Sequence, residues 1–175
     1  MSNSEVQLFY QRIHYPLGQI TVVYQPDQRA VAIAFDGETK QLAARLERQL
    51  KRAVILSKQV GWAYTHLLEE YFLGQRRTLE GIEYKLYCTP FQQRVLGLVR
   101  QIPYGNVRTY GELARELGER GYARAVGGAV ARNPLPILIP CHRVVSTSGR
   151  GGFTPDPKIK EYLLTLERAN RPKHR

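Results

Sequence analysis

Cysteine, methionine and tryptophan are scarce in this chain, with two, one and one among 175 residues. Cys88 and Cys141 are too few for a disulfide framework, and the four histidines show no paired spacing of the zinc type, so no structural metal is expected. Long apolar runs are missing as well. No stretch approaches the ~18 uninterrupted apolar residues of a membrane span, and the opening MSNSEVQ lacks the charged and apolar regions of a secretory signal. A soluble protein that stays inside the cell and off the membrane is expected. No repeat or low-complexity segment occurs, and the last eight residues read as a frayed basic tail.

Acidic residues are the other shortage, 15 against 26 Lys and Arg, for a net charge of +11. The imbalance is uneven: residues 1 to 85 hold 11 basic and 9 acidic residues, net +2, whereas residues 86 to 175 hold 15 and 6, net +9. Such a field favours a polyanion, although many basic proteins are merely well solvated.

What is present divides near residues 81 to 89. Before it, "QITVVY" and "AVAIAF", separated by "QPDQR", predict a β-hairpin in a small antiparallel sheet. Leu42, Leu46 and Leu50 predict a helix over 38–52, and a second fits 62–73. This α/β unit, residues 1–85, carries no chemical constellation and reads as a scaffold. Residues 86–175 are mostly helical. "TPFQ" at 89–92 and "TYGE" at 109–112 have the capping-box pattern, and Gly118 is placed to stop the second of these helices. "ARAVGGAVAR" at 123–132 then completes a helix-turn-helix. Its residues Ala125, Val126, Gly127, Gly128, Ala129 and Val130 cannot hydrogen-bond a base edge, but they let a backbone come close to a narrow groove. Arg124 and Arg132 stand at its ends for phosphates or a base stack. A Gly/Ala-rich helix packed tightly on a neighbour, with two solvated arginines, is the plainer alternative.

In "LPILIPCHRVV" a buried strand over 137–139 is expected to end at Pro140, leaving Cys141 at its exit. An isolated cysteine is most simply a small core residue. His142 and Arg143 beside it supply a base and a positive charge, which a thiol needs to become a nucleophile. In "DPKIKEYLLTLE", Asp156 reads as an N-cap with Pro157 at the first helical position. Ile159, Leu163 and Glu167 then share one face. A carboxylate continuing an apolar stripe is frayed into water, neutral or paired, and pairing with His142 would orient the imidazole. Asn133, in "ARNP", either braces the loop ahead of Cys141 or is a simple turn residue.

These segments resemble the O6-alkylguanine-DNA alkyltransferases, or methylated-DNA–protein-cysteine methyltransferases. The resemblance covers residues 87–168 and rests on "TPFQQRVL", "IPYGNVRTYGELA", "ARAVGGAVARNPLPILIPCHRVV" and "KEYLLTLE". It implies a ribonuclease-H-like N-terminal domain and a helical DNA-binding domain. It also implies single-turnover repair of double-stranded DNA, in which the alkyl group of O6-alkylguanine, with O4-alkylthymine a further candidate, passes irreversibly to a cysteine. By resemblance Cys141 is the nucleophile, His142 deprotonates it through water, Glu167 orients His142 and Asn133 supports the loop. Tyr110 hydrogen-bonds the flipped guanine, in a pocket lined by Pro136, Val144, Gly152, Phe153 and Thr154. Arg124 takes the place of the extruded nucleotide, and Ala125, Gly127, Gly128, Ala129, Arg132 and Thr147 face the DNA. No cofactor is implied, and a monomer is expected, cytoplasmic at the nucleoid or nuclear in a eukaryote.

One stretch departs from the family pattern. The pocket loop usually runs Gly, aromatic, Ser or Ala, then Gly-Gly, whereas here it is Gly152, Phe153, Thr154, Pro155 and Asp156, and Pro155 offers no N–H. Two other readings compete with repair: a helix-turn-helix regulator, which should carry Asn, Gln, Arg or Ser where this helix has Gly and Ala, and a non-catalytic lesion-binding relative, which typically lacks the cysteine. A Cys-His hydrolase is weakened by the adjacency of its two groups.

Overall fold

The computed structural model describes residues 5–36, 39–118, 121–149 and 156–171. Strands β1 (Val6–Tyr15), β2 (Gly18–Tyr24), β3 (Ala30–Phe35) and β4 (Val54–Lys58) form one sheet in the order β3-β2-β1-β4. The predicted hairpin is β2–β3, but the sheet is mixed: β4 runs parallel to β1, because helix α1 (Thr39–Leu50) carries the chain back across one face before β4 begins.

Alternation along the strands sorts two cores. Val23 and Ala32 face Leu42 and Leu46 of α1, joined by Val31 at the register irregularity opposite Val23 and Tyr24, while Ile20, Val22, Tyr24 and Ile33 face the opposite side. That second face is covered by Trp62, by helix α2 (Thr65–Phe72) and by the C-terminal half, so one apolar cluster runs from Ile20 through Phe72 to Val95, Leu113, Val126, Ile139 and Leu163. The expected boundary near residue 85 is therefore no break in packing.

The free edge of β3 is also used. Ala30 pairs with the 83–85 segment through Ala30 N to Glu83 O and Lys85 N to Ala30 O, at 2.9 and 2.8 Å. Ile33 N donates to Pro134 O at 2.8 Å, so the sheet edge holds the loop that leads to Cys141.

The C-terminal half contains α3 (Pro90–Arg100), β5 (Arg108–Thr109), α4 (Tyr110–Glu116), α5 (Ala123–Ala131), a 3₁₀ turn (Cys141–Arg143), β6 (Val144–Val145) and α6 (Pro157–Ala169). Thr109 and Glu112 make the full capping box of α4. At α3 only half of the expected box forms: Thr89 caps Gln92 N, but the Gln92 side chain turns away to Ala129 O and Arg132 O, where it caps the end of α5. Gly118, at φ +76, ends α4 as predicted. Among the described residues no helix is long and apolar enough to cross a membrane.

A shared core predicts cooperative melting. Calorimetry of the whole chain should show one transition whose calorimetric and van't Hoff enthalpies agree. Two resolved transitions would mean that the halves hold together without their common cluster.

Candidate active site

Asn133 clamps the loop ahead of Cys141. Its Oδ1 accepts from Leu135 N at 3.0 Å and its Nδ2 donates to Ile139 O at 2.8 Å, while Ile139 N returns to Leu135 O at 2.9 Å. Residues 137–139 are consequently not the expected strand. Ile137 sits at φ +76, a conformation that costs a β-branched residue on the order of 1–3 kcal/mol and persists only where its surroundings enforce it. The clamp and the bond from Ile33 are those surroundings.

Cys141 emerges from this loop only 6% exposed. Burial pushes its thiol up, outweighing the Asn133 side chain and the Lys160 ammonium, which favour the thiolate. At rest it is a thiol. Lys160 is itself buried on α6, donating to Val144 O at 2.6 Å, and its pKa is lowered by that burial. The sequence signal for Lys160 was its place four residues before buried Leu164, beside the Ile159–Leu163–Glu167 stripe.

His142 and Glu167 are fully buried, and His142 Nε2 lies 2.7 Å from Glu167 Oε1. Glu167 is therefore paired rather than frayed. A carboxylate only accepts, so the ring proton is on Nε2 and Nδ1 is left as the basic atom. Nδ1 is buried without a hydrogen-bond partner among the described residues. Burial lowers the His142 pKa more than Glu167 raises it, which keeps the imidazole neutral.

Arg143, expected to place its charge at the thiol, is turned to the carboxylate instead. Its Nε and Nη2 donate to Glu167 at 2.8–3.1 Å, and Nη1 donates to Ile102 O at 2.6 Å. Gly105 N adds 2.9 Å to Oε2, and the Tyr71 hydroxyl 2.6 Å to Oε1. Burial alone would raise the Glu167 carboxyl; the donors, His142 first and then Arg143, hold it well below the usual carboxylate range. Tyr71 was missed because nothing local in the first half marks it.

Tyr110 opens α4 and is half-buried, its phenol raised by burial and next by Cys141. The pairing of Arg108 with Val144 and Thr109 with Val145 brings the start of α4 to the chain just after Cys141. The ring lies over α5, where a Cβ at Gly127 would stand 3.8 Å from it. On α5, Arg124 and Ala125 are exposed, Gly127 and Gly128 half-buried and Arg132 exposed, and a shallow depression is lined by Ala123, Arg124, Ala125, Gly128 and Arg132. Ala129 points the other way, fully buried with Val126, so its side chain packs the helix instead of facing DNA. Pro136 and Val144 are buried too, and Thr147 is exposed in the turn after β6. Gly152, Phe153 and Thr154 lie outside the described residues. Among the described residues no cluster of three His, Cys, Asp or Glu is placed to hold a metal ion.

Comparison with known proteins agrees across both halves. Residues 90–169 match the DNA-binding domain of 6-O-methylguanine DNA methyltransferase, and residues 8–86 match its ribonuclease-like domain. The chain is 34% identical to a methylated-DNA–protein-cysteine methyltransferase of Thermococcus sibiricus over 85% of this chain and 87% of that one. With the protein of the same name from Salmonella typhimurium it shares 35% over 93% and 96%. Its structure is similar to those of the Mycobacterium tuberculosis O6-methylguanine methyltransferase (TM-score 0.78, 30% identity) and of M. tuberculosis OGT in complex with DNA (TM-score 0.79, 31% identity), each over 95% of this chain and 96% of the other.

The buried cluster predicts the acid limb of stability. Both His142 and Glu167 have folded values below their unfolded ones, so each stabilises the fold above its unfolded pKa and loses that contribution as pH falls. Stability should therefore decline from about pH 6.5 and more steeply below about 4.3. Glu167→Gln, which strands the Arg143 charge, should cost roughly 3–5 kcal/mol at pH 7 and flatten the curve below pH 4.5. Urea midpoints measured from pH 4 to 8 check both, and parallel curves for the two proteins would contradict the pairing.

Proposed function

The chain belongs to the 6-O-methylguanine DNA methyltransferase family, and from that premise we propose that Cys141 is the residue that takes the alkyl group. The protein repairs DNA by moving an alkyl group from guanine to its own cysteine. The observation that carries the assignment to Cys141 is its position at the end of the Asn133 clamp, next to an imidazole whose Nε2 is bound to a buried carboxylate and whose Nδ1 is left over.

The reaction follows from these positions. The Cys141 proton passes to His142 Nδ1 through a bridging water, and Glu167 stabilises the imidazolium through Nε2. Sγ attacks the alkyl carbon, the S–C bond forming as C–O6 breaks. The electron pair goes to guanine, which takes up a proton, restored from the His142 imidazolium by way of water, and stays in the strand as the neutral, unalkylated base. Tyr110, kept as a phenol by burial, donates a hydrogen bond to the base as charge develops there. No step regenerates the thiol, so each molecule acts once, and none calls for a cofactor. We read the protein as a monomer that acts wherever the DNA is, in the cytoplasm at the nucleoid or, in a eukaryote, in the nucleus.

DNA is held through α5. Exposed Arg124 and Arg132 flank residues that offer no hydrogen bond to a base edge, so the helix supports binding with little sequence choice. Arg124 is assigned to fill the stack vacated by a flipped nucleotide, a role that its exposed position near the start of α5 supports.

Incubation with duplex DNA containing O6-methylguanine should add one methyl group, mapped to Cys141 by mass spectrometry. Cys141→Ser should show no gain yet keep its affinity for lesion DNA, since a hydroxyl is far harder to ionise than a thiol. Methylation of the serine variant would remove Cys141 from the mechanism.

Arg124→Ala should slow single-turnover transfer on a paired duplex far more than on free O6-methylguanine, where no base needs flipping, and less at a mispaired lesion. A phosphate contact alone would instead weaken all duplexes equally and reduce the salt slope by about one unit.

A further inference from the structure

Tyr71 belongs to the half of the chain that the sequence marks as scaffold, yet its hydroxyl ends in the catalytic cluster. The residue is 1% exposed on α2, and its hydroxyl donates to Glu167 Oε1 at 2.6 Å and lies 3.4 Å from His142 Nε2. The same Oε1 receives His142 Nε2 at 2.7 Å and Arg143 Nη2 at 2.8 Å. Oε2 receives Arg143 Nε and Gly105 N, both at 2.9 Å. A carboxylate offers about four lone-pair sites, so this one is filled, with two neutral or cationic donors competing with His142 for a single oxygen.

Competition has a direction. Each donor on Oε1 drains basicity from it, so the carboxylate holds the Nε2 proton in place without taking it and stabilises the imidazolium less than a bare carboxylate would. This adds to burial, the larger cause, in keeping the base at Nδ1 unprotonated near neutral pH. We propose that Tyr71 is a positioning residue of the alkyl transfer, setting the basicity of His142 by sharing Glu167 Oε1 with it; this rests on the reading of Cys141 and His142 as the reacting thiol and its base.

The placement is built by the N-terminal half. Gln11 on β1 fixes the approach to α2, accepting from Gly61 N and Trp62 N at 2.9 Å and donating to Thr65 Oγ1 at 3.0 Å. Phe72, the next residue, packs on Tyr15 at 5.0 Å between ring centres, and the Tyr71 ring meets Tyr104 edge-on at 6.1 Å. Burial and the adjacent Glu167 hold Tyr71 as a phenol, so it is a donor at every working pH. The other charged or titratable groups around the cluster are Arg143 and Cys141 on the 3₁₀ turn, Lys160 on α6, and Tyr104 after α3 with Arg77 and Tyr162 near it. Of these, only Arg143 also donates to Oε1.

The test is Tyr71→Phe, which removes one oxygen and keeps the ring. Imidazole ¹⁵N shifts of His142 followed against pH in the substrate-free protein should show its titration moved upward by about one unit relative to wild type. The acid limb of single-turnover transfer on duplex DNA containing O6-methylguanine should move with it, giving a loss of about tenfold at low pH that shrinks as pH rises. Incorporation of 3-fluorotyrosine at 71, a stronger donor of nearly the same volume, should shift both curves the other way and serves if the Phe variant does not fold. Unmoved His142 titration and superimposable pH profiles in a folded variant would overturn the proposal and leave Tyr71 as packing. The titration needs no substrate, so its outcome stands apart from the methyl mapping that tests Cys141.

Discussion

The structure turns on one buried carboxylate. Glu167 is fully buried, and a carboxylate there costs several kcal/mol unless its oxygens are filled. The donors that fill them come from three segments, Tyr71 on α2, Gly105 after α3, and His142 and Arg143 on the 3₁₀ turn, and they meet Glu167 on a fourth, α6. None of these segments can shift without uncovering a charge. Arg143 makes the arrangement expensive to break, because losing the carboxylate strands a guanidinium that is also held by Ile102 O. Well-packed apolar replacements of buried ion pairs are often as stable or more so, and the cluster is therefore better explained by what it does to His142 than by what it adds to the fold.

That cluster works together with an unreactive thiol. Cys141 is buried and its pKa raised, the opposite of an exposed, activated cysteine. A protein that can spend its thiol once gains from this: the free form resists stray oxidants and electrophiles. The side chain of Asn133 and the charge of Lys160 are already in place to favour the thiolate, and Nδ1 of His142, the acceptor on the proposed reading, has no hydrogen-bond partner among the described residues. On the proposed reading, activation then depends on the base that Tyr110 receives, and the start of α4 is held near Cys141 by the two-residue pairing of β5 with β6.

Local signals made part of this legible in the sequence. The caps at Thr89, Thr109 and Asp156 and the stripe of Ile159, Leu163 and Glu167 lie within one turn or one helix face, and each is seen where expected. The misreadings involve distant partners. "PILI" has the composition of a strand, but Asn133 folds it back and forces Ile137 into a left-handed conformation. Gln92 looks like a capping-box partner for Thr89 and instead caps α5, 37 residues on. Ala129 and Gly128 are neighbours in a run of small residues, and only the packing of α5 on α3 shows that one faces the core and the other the surface. Tyr71 meets Glu167 across 96 residues, beyond any motif.

The two halves of recognition are consequently separate in kind. The surface of α5 presents backbone, small side chains and two arginines, which suit any duplex and distinguish none. On the proposed reading, discrimination arises deeper, where a flipped base would bring its O6 substituent to Sγ of Cys141. There, on that reading, an unmodified guanine offers no alkyl carbon, and a thiol whose pKa burial raises is slow to react with a poorly placed one. Loose binding outside and strict chemistry inside together let a protein that reads no sequence act at one kind of damaged base.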